Sequence, residues 1–164
     1  MSMANQGTSP SPWYFVVVGA FLIAVWTRHF FIMRRRKQEM SEMAARLGLE
    51  AWPDDSSPRD LSLNGTVFQD WSKLFNVYEG ILNHRQVAIL DFRKQAGKSS
   101  WSRTIIAVRT KENVFEDKAF GLETEQVSDW QLCYSPVGFL HSGKLMDVPE
   151  IEELLNGIAR YKAA

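Results

Sequence analysis

The sequence predicts an α+β protein in which an N-terminal transmembrane helix is followed by an antiparallel meander sheet covered by a C-terminal amphipathic helix. Three features lead to this prediction. Residues 13–33 form a mostly apolar run that is long enough to cross a membrane. Between residues 77 and 134, several short runs alternate apolar and polar side chains as strands do. From residue 147 onward, apolar side chains return at helical spacing.

The apolar run has two interpretations, which differ in where the membrane ends. As a helix, residues 13–33 span about 31 Å, which matches a hydrocarbon core of ~30 Å if the guanidinium of Arg28 extends toward the headgroups. If the boundary instead lies near Trp26, then Trp13, Tyr14 and Trp26 form the aromatic belts at the two interfaces. Both interpretations predict a single span.

Cations follow this span on one side only. The first 27 residues contain no Lys or Arg, whereas Arg34, Arg35, Arg36 and Lys37 form a basic collar. Because basic residues stay on the cytoplasmic side, we expect residues 1–12 outside and the C-terminal part in the cytoplasm, with the span in the cell (inner) membrane. The collar is also expected to attract anionic lipid headgroups.

Alternatives remain for three features of the span. A cleaved signal peptide needs a basic n-region and a small-x-small cleavage site, and because neither is present we expect a retained anchor. Ala20 and Ala24 form a small-xxx-small pair that would let two copies pack as a homo-oligomer, although lipid-facing alanines need no such role. Arg28 is suited to pair with a carboxylate of another subunit, but its nearness to the cytoplasmic end favours simple snorkelling.

The net charge of zero conceals an asymmetry along the chain. Residues 1–37 carry five Lys or Arg and no acid, so residues 38–164 hold 14 Lys or Arg against 19 Asp or Glu. The downstream part is therefore acidic, and it lacks the basic surface that binding to nucleic acid requires. Cys133 is the single cysteine, which excludes an intramolecular disulfide and is typical of a reducing compartment.

A helical stalk and a linker are predicted after the collar. Gly48 is a suitable C′ residue to end the stalk, which we place at residues 34–50. Residues 51–60 are rich in Pro, Ser and Asp, which is typical of a linker, so the folded domain is placed at residues 61–164. The apolar residues of the stalk recur at helical spacing: Met40, Met43, Ala44 and Leu47.

Strands are predicted through most of this domain. "VYEGILN" and "RQVAILDF" meet at Asn83-His84, and "WSRTIIAVRT" follows a turn at "QAGKSS". Shorter candidates are "KAFGLE", "WQLCYS" and "VGFLHS", and short turns between successive strands indicate a meander. Residues 67–75 instead fit one helical face or a short irregular turn.

The last predicted element is an amphipathic helix. Asp147 and Glu150 resemble a capping box, and Pro149 suits a first turn. The apolar stripe should lie across the sheet. It consists of Ile151, Leu154, Leu155, Ile158 and Ala159.

Gly97-Lys98-Ser99 is the motif closest to a phosphate-binding loop. Such a loop needs a glycine at position 92, where the chain has Phe92, and a helix immediately afterwards. Because a strand is predicted there instead, we interpret the motif as a hairpin turn.

No cofactor, metal site or catalytic residue is predicted from the remaining side chains. His29, His84 and His141 show no metal-ligand spacing. Cys133 could act as a nucleophile if the fold placed it beside His141, but its apolar strand favours a buried thiol. The acidic segments "DFRK", "KENVFED" and "ETEQVSD" are typical of solvated turns rather than of paired catalytic carboxylates.

Trp52 is the tryptophan best placed to dock on another surface. It lies beside Pro53 in the predicted linker, where an aromatic side chain is suited to contact either the domain itself or a partner. We therefore treat Trp52 as a candidate partner contact.

The chain from about Arg34 onward resembles a family of bacterial single-pass membrane-anchored proteins that share a domain of unknown function. The resemblance is carried by "AARLGLE", "NVYEGILNHRQVAILDF", "TIIAV" and "DWQLCYSPVGFLHSGKLMDVPEIEELLNGI". It implies one span and a small domain, and it implies no activity and no catalytic residue.

These observations predict a membrane-anchored, non-enzymatic protein whose cytoplasmic domain binds a protein partner. The first alternative is a pleckstrin-like barrel that recognises lipid or peptide. The second is a hydrolytic enzyme, which would require a concave pocket with convergent carboxylates, or Cys133 beside His141.

Overall fold

The structure is a computed structural model that describes residues 12–58, 61–63, 66, 68–69, 73–96, 99–115, 121–135 and 145–160. The α+β class is confirmed, with an N-terminal apolar helix, an antiparallel sheet and a C-terminal helix. The chain divides into two compact units, Met1–Lys37 and Gln38–Ala164. The elements in chain order are α1 (Pro12–Arg46), β1 (Glu50–Trp52), β2 (Lys73–Leu82), β3 (Arg85–Ala96), β4 (Ser99–Arg109), β5 (Glu123–Val127), β6 (Trp130–Tyr134) and α2 (Val148–Arg160).

Helix α1 ends in a Schellman motif, as Gly48 predicts. Gly48 has a φ of 70°, a left-handed conformation that glycine adopts without strain. The Leu49 amide donates to the Ala44 carbonyl at 2.8 Å, and the Gly48 amide donates to the Ala45 carbonyl at 3.3 Å. These two bonds satisfy carbonyls that the helix end would otherwise leave without partners.

The end of α1 belongs to the core of the second unit. Met40 and Met43 are fully buried, and so is Ala44. Residues 50–52, predicted as the end of a stalk and the start of a linker, form β1 and pair with β2. The folded unit therefore begins at Gln38 rather than at residue 61, because the apolar face of the helix packs on the sheet.

The sheet has six antiparallel strands in the order β1-β2-β3-β4-β6-β5. Strands β2, β3 and β4 form the predicted meander, and β3 pairs with β4 out to Ala96 and Ser99 on either side of the predicted hairpin turn. Strand β6 lies between β4 and β5 because all five of its residues are buried, whereas the acidic β5 is suited to an edge. Within the described residues the ladder ends at β1 and β5, so the sheet is open.

Apolar clusters cover both faces of this sheet. The first face packs against the end of α1 and against α2, and Arg46 forms an ion pair with Glu152 at 2.7 Å between the two helices. The second face is covered by an irregular segment that contributes Leu61, Leu63 and Phe68. Strand β3 alternates between them, with Val87 and Ile89 on the first face and Ala88, Leu90 and Phe92 on the second.

Several local predictions have different outcomes. Leu74 and Phe75, which we placed on a helical face, lie in β2, because their side chains join the sheet. The segment "ETEQVSD" is not only a turn, because its first five residues form β5. "WQLCYS" is confirmed by β6, whereas "VGFLHS" lies outside the described residues. The predicted stripe of α2 is buried except for Ala159, which is exposed.

The contact of Gly80 with the turn after α1 gives a test of this packing. A Cβ on Gly80 would lie 3.1 Å from Leu49 Cα and 2.7 Å from Leu49 Cδ2. We expect Gly80→Ala to lower the free energy of unfolding by about 1 to 3 kcal/mol, because the Schellman motif holds the Leu49 backbone in place. Urea unfolding of the full-length protein in a non-ionic detergent, followed by near-UV circular dichroism, measures this effect.

Gly157→Ala is the matched control. Gly157 is exposed in α2, and outside its own stretch of helix no described atom lies within 4 Å of the added Cβ. The same chemical change should therefore stabilise the protein by about 1 kcal/mol through helix propensity. Equal effects of the two substitutions would contradict the close approach at Gly80.

Candidate functional site

The apolar part of α1 has an exposed surface. Within the described residues, α1 is the one helix long and apolar enough to cross a membrane, and none of its most apolar window is buried. A surface of this size is unfavourable in water, so a lipid or protein environment must cover it. The large apolar side chains that are at least half exposed are Trp13, Tyr14, Phe15, Val16, Val17, Phe21, Leu22, Ile23, Val25, Trp26, Phe30, Phe31 and Ile32.

Polar residues inside this segment differ in their surroundings. The Thr27 hydroxyl donates to the Ile23 carbonyl at 2.9 Å, so its polar group is satisfied within the helix. Arg28 is exposed, as are Ala20 and Ala24. The exposure leaves the predicted helix pairing through these alanines as a prediction.

The four residues of the basic collar lie on consecutive positions of α1. Arg34, Arg35 and Lys37 are exposed, and Arg36 is half-buried. Because successive residues of an α-helix are about 100° apart, the four side chains surround the helix instead of forming one stripe. A collar of this geometry suits a helix whose whole circumference lies among headgroups.

Trp52 contacts the domain itself, the first of the two alternatives predicted for it. It lies in β1, pairs with Val77 of β2 and is half-buried against the cluster on the second face of the sheet. The predicted partner contact at Trp52 stays a prediction for the exposed part of its side chain.

Cys133 has the environment of a structural thiol. It is buried on the first face of the sheet, and this burial, together with the charge of Glu150, raises the pKa of the thiol to about 12. The thiol is therefore protonated at neutral pH, where a nucleophilic cysteine must be a thiolate. His141, its predicted partner, lies outside the described residues. Among the side chains that the structure describes, no group of three or more His, Cys, Asp or Glu is arranged to hold a metal ion.

The segment "DFRK", predicted as a solvated turn, lies in β3 and begins with a buried carboxylate in the centre of the sheet. Asp91 is fully buried in β3 and accepts hydrogen bonds from Asn76 Nδ2 and Thr104 Oγ1, both at 2.8 Å. Thr104 Oγ1 in turn accepts from the Met146 amide at 3.1 Å. The network therefore ties β2, β3 and β4 to the segment that leads into α2.

The network depends on a bulge in β2. The register shifts between Phe75 and Tyr78, and Asn76 has a φ of 49°, a conformation that asparagine tolerates better than most residues. The backbone N–H of Asn76 donates to Asp54 Oδ1, and the backbone N–H of Leu74 donates to Asp55 Oδ1, each at 3.2 Å. Asp54 and Asp55, in the segment predicted as a linker, thus lie in a turn that supports β2. A single aspartate between Leu90 and Phe92 was the signal available in the sequence.

A buried arginine lies on the opposite face of the sheet. Arg103 is 2% exposed. Its guanidinium lies over two aromatic rings, with Cζ 4.8 Å from the ring centroid of Trp101 and 5.8 Å from that of Tyr134. Among the residues that the structure describes, its Nε finds no hydrogen-bond partner. Burial lowers the pKa of Arg103, and the charge of Glu123 acts against this shift. The guanidinium is thus stabilised by aromatic faces and by a carboxylate that acts through space.

Substitutions of Arg103 test whether this charge is costly. We expect Arg103→Met to raise the free energy of unfolding by about 1 to 2 kcal/mol, because methionine fills a similar volume without an unsatisfied buried donor. Arg103→Lys should lower it, because an ammonium is more strongly hydrated and stacks less well on a ring. Urea unfolding of the full-length protein measures both changes. A larger loss for methionine than for lysine would show that the charge itself is stabilising.

Comparison of the chain with protein-family models, with curated proteins and with solved structures found no match. The resemblance to a bacterial membrane-anchored family stays a prediction. We therefore infer the function from the contacts and charges within the chain.

Proposed function

We propose that the chain is a single-pass membrane protein whose span lies within residues 13–33 and whose cytoplasmic domain binds a protein partner. The exposed apolar surface of α1 carries this proposal. At about 1.5 kcal/mol for each large apolar side chain, transfer of this surface from water is worth on the order of 20 kcal/mol. An arginine at the centre of a span costs only about 2.5 to 3.5 kcal/mol on insertion scales, and Arg28 lies nearer one end, so the apolar term dominates.

The collar supports the proposed orientation. Four cations follow the span, and none precedes it in the first 27 residues, so the domain is proposed to lie in the cytoplasm beneath the inner membrane, with residues 1–12 outside. Each collar cation contributes about 1 kcal/mol near an anionic leaflet. The collar and the acidic domain then have opposite preferences for anionic lipid.

Single-cysteine labelling in spheroplasts tests the orientation. We expect a membrane-impermeant maleimide to label Ser2→Cys in intact spheroplasts and Glu153→Cys only after permeabilisation. The parent chain should remain unlabelled in both conditions, because Cys133 is buried and its pKa is about 12. The reverse labelling pattern would contradict the orientation, and release of the protein by alkaline carbonate would contradict the span.

Removing the collar should weaken this orientation. Replacing Arg34, Arg35, Arg36 and Lys37 by glutamine is expected to raise the inverted fraction in the same labelling assay several-fold, because the positive charge that holds one side in the cytoplasm is lost. Exchanging Arg and Lys at these four positions keeps the charge and should leave the orientation unchanged.

The interior of the domain favours binding over catalysis. The buried polar groups Asp91, Asn76 and Thr104 bond to one another, and Cys133 is held as a protonated thiol. These groups stabilise the fold, which leaves the surface of the domain to perform the function. Crosslinking of the full-length protein in native membranes should enrich a defined protein. A chimera of residues 1–37 with an unrelated domain is the control, and equal enrichment by the chimera would contradict a binding role of the domain.

A further inference from the structure

Strand β5 (Glu123–Val127) is the longer of the two edges of the sheet. Within the described part of the chain it pairs only with β6, and Glu123, Thr124 and Gln126 are exposed. The other edge strand, β1, has only three residues. Its neighbour β2 continues past β1, and there Leu49 lies against Gly80 of β2. An edge strand with exposed backbone groups is a template for pairing with another chain.

The hairpin between β5 and β6 determines which backbone groups of β5 face outward. Val127 pairs with Trp130 across a loop of two residues, in which Ser128 has a φ of 56°. The pair that closes a two-residue hairpin is a hydrogen-bonded pair, and such pairs alternate along an antiparallel ladder. Thr124 and Gln126 therefore direct their N–H and C=O groups away from β6.

Acidic side chains flank these outward groups. Glu123 and Glu125 lie on the same face of β5, opposite Tyr134 and Leu132 of β6. Burial raises the pKa of Tyr134 to about 12, and the charges of both glutamates add to this rise, so a negative field is present at the edge. In a symmetric antiparallel pair of two β5 strands, Glu125 would face its own copy, and like charges directly opposite are destabilising.

We propose that β5 is the docking edge for an extended segment of another protein, which adds a seventh strand and carries Lys or Arg at alternate positions facing Glu123 and Glu125. This inference deepens the proposed function, because it names the kind of partner that the domain binds. Backbone hydrogen bonds to Thr124 and Gln126 provide the pairing, and the two glutamates provide the selection for basic residues. The same charges disfavour pairing between two copies of the chain.

A pair of synthetic peptides tests this proposal. The first alternates lysine and threonine over ten residues, and the second alternates glutamate and threonine. Full-length protein in nanodiscs of zwitterionic lipid is titrated against each labelled peptide, and binding is followed by fluorescence anisotropy, with empty nanodiscs as the blank. We expect binding of the lysine peptide at least ten-fold tighter than that of the glutamate peptide. Equal affinities, or no binding of either peptide, would overturn the proposal.

Two variants separate edge pairing from simple charge attraction. Thr124→Pro removes one outward N–H without removing a hydrogen bond to β6. It should therefore lower the affinity for the lysine peptide about ten-fold while the urea midpoint of the protein stays unchanged. Combined Glu123→Lys and Glu125→Lys should reverse the preference toward the glutamate peptide, and the urea midpoint of this variant is measured as well, because Glu123 also offsets the charge of the buried Arg103. Glu153→Lys, an exposed site in α2, is the charge control and should keep the parent affinity. If Thr124→Pro keeps the parent affinity while Glu153→Lys weakens binding of the lysine peptide, net charge alone binds the peptide and the proposal is overturned.

The crosslinking experiment distinguishes this inference from the proposed function. If the parent chain enriches no protein from native membranes, the proposed function fails. If the parent enriches a partner and Thr124→Pro enriches it equally, the proposed function stands and the β5 edge is excluded as the docking site.

Discussion

Replacing Asp91 by alanine is expected to lower the free energy of unfolding by about 3 to 5 kcal/mol, because two buried donors lose their acceptor. Asn76 Nδ2 and Thr104 Oγ1 both donate to this carboxylate, and all three residues are buried, with Asn76 only 5% exposed. Asp91→Asn keeps one acceptor and nearly the same shape, so its loss should be smaller. Urea unfolding in a non-ionic detergent measures the free energy of unfolding of the full-length parent chain, Asp91→Ala and Asp91→Asn.

Asp129→Ala provides the control for a carboxylate at the surface. Asp129 accepts from Arg109 Nε at 2.5 Å in an ion pair whose side chains are 41% and 37% exposed, and such pairs contribute less than about 1 kcal/mol. If Asp91→Ala and Asp129→Ala lower the free energy of unfolding by similar amounts, then Asp91 does not hold the sheet to the segment that leads into α2.

Truncation of Phe68 is the second substitution with a large expected effect. Phe68 is fully buried and makes edge-to-face contacts with two rings. Its ring centroid lies 5.1 Å from that of Phe92 and 4.7 Å from that of Tyr134. Its backbone is held by a local turn, in which the Phe68 amide donates to Thr66 Oγ1 at 2.9 Å and Thr66 Oγ1 donates to the Leu63 carbonyl at 2.7 Å. Phe68→Ala should therefore cost about 3 to 5 kcal/mol through the cavity that it leaves.

Phe68→Leu and Ile81→Ala show whether this loss comes from the cavity. Leucine refills most of the volume, so the loss should fall to about 1.5 kcal/mol or less. Ile81 is 71% exposed, so the removal of its side chain should change the stability by less than about 0.5 kcal/mol. Comparable losses for Phe68→Ala and Ile81→Ala in urea unfolding would contradict the role of Phe68 in covering the second face.

Elements with local signals were predictable from the sequence. Gly48 ends α1 and the stripe of α2 is buried largely as predicted, because caps and helical periodicity depend on residues within a few positions of each other. The central strands were predictable for the same reason, since β2, β3 and β4 follow one another through short turns. The apolar segment and the collar of the candidate site are likewise read directly from composition.

Features that depend on distant contacts were not predictable. Alternation in β3 shows that Asp91 and Val87 share a face, but it does not show that α2 and its approach cover that face. Arg103 looks like a solvated strand residue until Trp101 and Tyr134 are placed beside it. The edge position of β5 was missed because its two glutamates have low strand propensity, and its pairing with β6 determines its conformation.

The position of β6 between β4 and β5 has a consequence for synthesis of the chain. The β4 edge has no sheet neighbour from the described strands until residues 130–134 have emerged from the ribosome, because β5 comes first but pairs only with β6. During that interval a nascent chain presents an apolar strand edge, a species prone to aggregation. Ribosome pausing after β6 has cleared the exit tunnel should therefore help the nascent chain to mature, whereas pausing before it should favour misassembly.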